Sequence, residues 1–303
     1  MAVSGEGALL LEWEDGHRSF FSPASLLEAS AARPAGPTQI RWDSGRGSSL
    51  CRHVWDRVST EESALSEWLR ETAVFGFALL RAAPQVAGAV ADVAEIFGAV
   101  RETNYGRVFD VRVSVDATNL ADTALPLSPH TDNPYRRPTP TLQLLHCLSS
   151  EAEGGETVLV DGFAAVERLG RNRPDLLALL ARTPIRYAYR DGQAQLAADF
   201  PIVTLDREGM PTALHLNNRS KGVPAGAPEQ VREWYDAYFA LLAVVDDPAQ
   251  QVVFRLEPGD LVLFDNERVL HGRTGFSGAG ARHLQGCYAD RDGLLSTLAV
   301  LER

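Results

Sequence analysis

The sequence predicts a mainly β fold, a jelly-roll barrel flanked by α-helices, with a small β module at its N-terminus. Three observations lead there. Short apolar runs bounded by Gly, Pro and Asp recur along the chain. Helical patterns fall between groups of these runs, whereas a doubly wound parallel sheet would alternate strand with helix. The 303 residues, 45% of them hydrophobic and 23% charged, suffice to bury a sizeable core.

Taken in order, residues 8–22 read as strand, turn, strand. The Asp15-Gly16 pair marks a type I′ hairpin, which needs positive φ at both central positions. A stretch rich in Pro, Gly and polar residues (31–49) follows, so the module is expected to span 1–50 and the larger domain 55–303. Ser59 to Glu62 offer an N-cap and early acidic residues for a helix through Leu69. A buried strand is expected at 76–80 and an amphipathic helix at 84–100. Further strands are expected at 108–115, 141–147, 157–160, 185–189, 202–205, 213–216, 252–256, 261–264 and 284–288, with helices at 163–181, 228–245 and 291–301.

The net charge of -11 disfavours a phosphate backbone as partner, so no nucleic acid is expected. Cys51, Cys147 and Cys287 are too few and too scattered for a disulfide framework, which fits a reducing cytoplasm. No apolar run approaches the roughly 18 residues that span a bilayer, so a cytoplasmic protein without membrane attachment is expected.

One short segment carries chemistry. In Ser128-Pro129-His130-Thr131-Asp132, an imidazole and a carboxylate stand two apart, and on extended chain they point to one side. His271 ends a second strand-and-turn unit, Gly259-Asp260-Leu261 onward. Two His and one carboxylate on one face of an octahedron leave three positions open, the arrangement of non-heme iron(II) oxygenases. Two positions suit a bidentate 2-oxo acid and one suits O2. A lone His-x-Asp recurs by chance; the added weight comes from Arg282, eleven residues past His271. Its guanidinium can clamp the far carboxylate of 2-oxoglutarate, with the Thr157 hydroxyl beside it. His146 reads as a packed core residue, His17, His53 and His215 lack a partner at ligand spacing, and His283 alternates away from Arg282.

The motifs HTDNPY, PTLQLLHCL, GGETVLVDGF, LNNRS, PGDLVLFDNERVLHGR and RHLQGCYADRD appear in that order from about residue 60 to the C-terminus. Together they resemble the γ-butyrobetaine hydroxylase-like family of taurine dioxygenase-like oxygenases. The resemblance implies a double-stranded β-helix, iron(II) held by His130, Asp132 and His271, 2-oxoglutarate, O2, and C–H hydroxylation with release of succinate and CO2. Ascorbate commonly supports such enzymes in assays, and by analogy a homodimer is possible. The family's N-terminal zinc is not expected, because only Cys51 and His53 stand in that region. An intact Asp132 argues against a halogenase.

By the same resemblance, a trimethylammonium group meets an aromatic cage at Tyr105, Phe109 and Tyr288, with Asp122 where another aromatic is usual. Ring faces suit a quaternary ammonium, which cannot donate hydrogen bonds. The substrate's anionic end falls on Asn119 and Asn217. Arg219 and Lys221 follow closely and add positive charge, which tips the expected small amine substrate toward 2-trimethylaminoethylphosphonate; γ-butyrobetaine, giving carnitine, or another small amine acid is the alternative. Two rivals from other classes are a zinc hydrolase on a similar barrel and a non-catalytic binding barrel.

Overall fold

One strand, Leu261–Asp265, shows how the chain packs in the computed structural model. All five residues are buried, and they alternate between two cores: Leu261 and Leu263 enter one, Val262 and Phe264 the other. An apolar run with a side-chain period of two therefore has both faces covered. The described residues are 2–3, 7–31 (29–31 by backbone only), 36–112, 123–276 and 282–303. They divide into two units, Met1–Thr38 and Gln39–Arg303.

In the larger unit, Leu261–Asp265 lies within a seven-stranded sheet, between Phe77–Arg81 and Leu142–Ser150. Arg52–Val54 continues it beyond Phe77–Arg81, and Arg282–Ala289 continues it on the other side, pairing with Val100–Arg101 and Phe109–Arg112. Only Arg52–Val54 and Phe77–Arg81 run parallel. A second, wholly antiparallel sheet has the order Gln251–Phe254, Thr157–Asp161, Val269–Arg273, Leu127–His130. The two sheets share a core. Phe77, Leu79, Val262 and Phe264 come to it from the first, and Leu159, Val252, Phe254 and Val269 from the second.

Helices cover the outer faces. Glu62–Phe75, Ala89–Glu95 and Arg291–Leu301 pack on the large sheet through Trp68, Val93 and Leu298. Gly162–Asn172, Pro174–Arg182 and Pro228–Val245 share a third core with Val160 and Leu270 of the small sheet. Because Leu270 faces outward, its neighbour His271 faces the space between the sheets.

The turn between Leu261–Asp265 and Val269–Arg273 is polar yet buried. Arg268, with no exposed surface, pairs with Asp161 at 2.8 Å and donates to the carbonyls of Val74 and Ile40. Removing one partner of such a pair costs about 3–5 kcal/mol, because the other charge is left buried alone.

Several elements differ from expectation for identifiable reasons. The expected helix 163–181 is two helices, since Pro174 starts the second and drives Arg173 to φ -143, ψ 71. The expected helix 84–100 is helical only over Ala89–Glu95 and ends in a strand at Val100–Arg101. The helix expected to stop at Leu69 runs from Glu62 to Phe75. Gln195–Phe200 is a strand that its composition hides, formed by pairing with Ile185–Arg190. Residues 39–50, read as part of the module, lie in the larger unit: Ile40 N–H bonds the Val74 carbonyl and Trp42 enters the inter-sheet core.

The smaller unit holds a three-stranded antiparallel sheet, Ala2–Val3, Leu9–Glu12 and Arg18–Phe21, and the helix Pro23–Ala31. The Asp15-Gly16 hairpin forms, but only Gly16 has positive φ. Asp15 instead uses its carboxylate to accept from the His17 N–H at 2.9 Å, so the turn is not type I′. No helix among the described residues is long and apolar enough to cross a membrane.

Candidate active site

His130 ends the edge strand Leu127–His130, and His271 lies directly opposite it on Val269–Arg273. This closeness depends on Gly272: a Cβ there would lie 2.5 Å from the Leu127 carbonyl oxygen. Beyond His130 the chain turns sharply. Asn133 takes φ +54, a left-handed conformation that Asn tolerates, and Thr131 is tied to Leu216 by two hydrogen bonds. Asp132 is thereby brought back toward both imidazoles. Its Oδ1 is 3.3 Å from His130 Nε2 and its Oδ2 is 3.7 Å from His271 Nε2.

Three ligand atoms from these residues lie within 4.8 Å of one another, a set that can hold one metal ion. His130 Nδ1 donates to the Ser128 carbonyl at 2.9 Å, which leaves Nε2 with a free lone pair. Burial and the neighbouring His271 lower its pKa to about 4, so the ring is neutral near pH 7. Burial pushes the Asp132 carboxyl upward, but the two adjacent histidines outweigh this and hold it well below the usual range. Neutral imidazoles and an ionised carboxylate are the protonation states that a divalent ion requires.

The triad opens into a cavity of about 430 Å³ between the sheets. On Arg282–Ala289, residues 282, 284, 286 and 288 share the inner face, and Arg282 and Tyr288 flank the triad from its two ends. The Arg282 guanidinium donates to the Gly155 carbonyl at 3.3 Å, and burial lowers its pKa. It pairs with no carboxylate among the described residues. Such a half-buried cation is suited to an anionic ligand. Thr157 lines the same end.

At the other end stand aromatic rings. Phe109 stacks on Tyr288 at 5.1 Å, over Gly286, where any Cβ would meet the Phe109 ring at 2.4 Å. Tyr105 is 6.3 Å from Phe109 and 5.7 Å from Tyr189, and Tyr189 stacks on Tyr135 at 5.0 Å. Tyr135 and Tyr189 escaped the sequence reading. Tyr135 was within sight as the residue three past Asp132, whereas Tyr189 reaches the cluster only through its strand. Gln143 was also missed, and its amide donates to Asp132 Oδ2 at 3.1 Å.

The residues expected at the anionic end are placed unevenly. Asn119 and Asp122 lie outside the described residues. Asn217 lines the cavity, but its amide donates to the Thr131 carbonyl and its Oδ1 accepts from Arg219 N, Ser220 N and Ser220 Oγ. Arg219 lines the cavity with Nη2 3.4 Å from Asp132 Oδ1. Lys221, the only lysine of the chain, does not line it: its ammonium lies over the rings of Tyr238, Tyr235 and Trp234 at 4.8, 4.9 and 5.8 Å.

Among the other histidines, His146 is buried as expected, and His283 pairs with Asp110 at 2.6 Å. His53 is not partnerless. It gathers with Cys51 and Glu71, but Glu71 is already engaged by His53 at 2.6 Å and by Arg46.

Residues 47–288 match the model of the family described as taurine catabolism dioxygenase TauD, TfdA family. The γ-butyrobetaine dioxygenase of Pseudomonas sp. (strain AK-1) is 36% identical, the match covering all of this chain and 81% of that protein. The mitochondrial trimethyllysine dioxygenase of Gallus gallus is 30% identical over 98% of this chain and 73% of its own. Among solved structures, asparagine oxygenase in complex with Fe(II), 3-hydroxyasparagine and succinate matches the fold with a TM-score of 0.61. That match is 20% identical and covers 77% of this chain and 80% of the other.

Proposed function

This chain belongs to the TauD/TfdA dioxygenase family, uses Fe(II), 2-oxoglutarate and O2, and, we propose, hydroxylates a C–H bond of a small trimethylammonium carboxylate such as γ-butyrobetaine. The two facing sheets are read as the halves of a double-stranded β-helix. One observation carries the substrate class: an aromatic wall stands beside the metal carboxylate, with Tyr288 touching both. A wall of ring faces holds a cation that cannot donate hydrogen bonds.

His130, Asp132 and His271 are the proposed ligands, and their donor set fits iron(II). Bound iron, with O2 and 2-oxoglutarate, supplies the oxidation: one oxygen atom enters the C–H bond and the other enters succinate, with loss of CO2. The protein's own part is placement. Arg282 and Thr157 hold the distal carboxylate of 2-oxoglutarate. Phe109, Tyr288 and Tyr105, extended by Tyr189 and Tyr135, seat the ammonium, and Arg219 with Asn217 borders the anionic end.

Arg219 supports a second reading, in which the anion is a phosphonate. That reading has lost one of its two supports, since Lys221 points into rings of the helix Pro228–Val245. The names of the relatives also favour the carboxylate. Mass spectrometry of products from γ-butyrobetaine and 2-trimethylaminoethylphosphonate, with wild type and Arg219→Ala, tests both. Hydroxylated γ-butyrobetaine as the dominant product supports the carboxylate reading. Turnover of the phosphonate alone, lost in Arg219→Ala, overturns it.

A further inference from the structure

Tyr288 belongs to two neighbourhoods at once. Its ring forms one side of the Phe109 stack, and its hydroxyl donates to Asp132 Oδ2 at 3.1 Å. The Gln143 amide donates to that same oxygen, also at 3.1 Å. Gln143 and Tyr288 are direct partners in the pairing of Leu142–Ser150 with Arg282–Ala289, so the sheet sets both donors. They differ in one respect: Tyr288 brings a ring of the proposed ammonium wall to the carboxylate, and Gln143 brings none.

We propose that Tyr288 is a coupling residue, through which occupancy of the aromatic wall by a trimethylammonium group alters the metal-binding carboxylate of Asp132. A cation over the ring draws π density toward itself and leaves the phenolic hydrogen more positive. The hydrogen bond to Oδ2 then strengthens and takes negative charge away from the side of the carboxylate that faces the metal. The metal centre thus differs between the substrate-filled and substrate-empty enzyme, although the substrate binds no metal. Consumption of 2-oxoglutarate is thereby held back until substrate is present.

The inference rests on the reading of the wall as the ammonium seat, and the experiment separates the two. Co(II), which reports its coordination through visible absorption, is bound to wild type, Tyr288→Phe, Tyr288→Leu and Gln143→Met. Each is titrated with γ-butyrobetaine, and in parallel 2-oxoglutarate consumption by the Fe(II)-loaded proteins is measured with and without substrate. Tyr288→Phe keeps the ring and loses the hydroxyl. Its substrate affinity should stay near wild type, its substrate-induced spectral change should vanish, and substrate-free consumption of 2-oxoglutarate should rise severalfold. Gln143→Met should shift the starting spectrum yet keep the substrate-induced change. Tyr288→Leu should weaken substrate about two- to thirtyfold, the range of one ring–cation contact.

A wild-type spectral response in Tyr288→Phe overturns the coupling role, as does loss of that response in Gln143→Met. Unweakened substrate binding by Tyr288→Leu overturns the wall itself.

Discussion

Asn266 grips the backbone of Asp132 at both of its polar groups: Oδ1 accepts from the Asp132 N–H at 2.8 Å, and Nδ2 donates to the Asp132 carbonyl at 3.0 Å. The same amide donates to the Pro140 carbonyl at 2.9 Å, and Asn266 is fully buried. Asn266→Ala leaves these groups unmade, each costing about 1–3 kcal/mol where water cannot reach. The variant should melt earlier and bind Co(II) or Mn(II) about 10–100-fold more weakly, the usual effect of losing a group that orients a ligand. Metal affinity equal to wild type would show that the side-chain partners of Asp132 hold it unaided.

His271→Ala should abolish 2-oxoglutarate consumption while changing the metal-free melting temperature little. The lost ring borders the open cavity as well as the core, so water can fill the space it leaves. Consumption near the wild-type rate would remove His271 from the metal site.

Arg282→Ala should raise the 2-oxoglutarate KM steeply. A buried charge-assisted pair is worth about 2–5 kcal/mol when one partner is removed, and the amine KM should move less. Arg282→Lys should recover little, because an ammonium cannot present two parallel N–H groups. An unchanged 2-oxoglutarate KM in either variant would place the clamp elsewhere.

Acid should destabilise the fold early. Burial lowers both His146 and His215 from 6.5 to about 4, so the unfolded chain takes up protons that the folded one refuses. Stability is full above pH 6.5 and falls as pH drops from there toward 4, by at most about 3 kcal/mol per ring. Neither ring nitrogen of His146 has a hydrogen-bond partner among the described residues. His146→Leu removes one titrating ring and should gain more in urea midpoint, relative to wild type, at pH 5 than at pH 7.5. An equal change at both values would mean that His146 does not titrate within this window.

The triad and Arg282 could be read from the sequence because their signals are local: an i, i+2 pair, a His closing a turn, and an Arg at fixed distance. Tyr189 and Gln143 could not, since each reaches the cavity only through strand pairing, and neither has a neighbour in sequence that marks it. Lys221 misled for the same reason. Its position after Asn217 is written in the chain, but its direction is set by the rings of Pro228–Val245. The fold followed the same division. Buried runs such as 261–264 declared themselves as short unbroken apolar stretches bounded by Gly and Asp, whereas Gln195–Phe200 has no β-branched residue and is a strand only because Ile185–Arg190 lies alongside.

The direct opposition of His130 and His271 has a further consequence for folding. Leu127–His130 is four residues long and lies at the edge of its sheet, the position most prone to fray or slide. A slip of one residue would turn the imidazole of His130 outward and leave His271 facing a side chain that ligates nothing. An ion held by both histidines is therefore a stitch along the seam of the sheet. It would select one alignment of the edge strand over its neighbours, so a metal placed there for catalysis would also proofread the strand that carries one of its three proposed ligands.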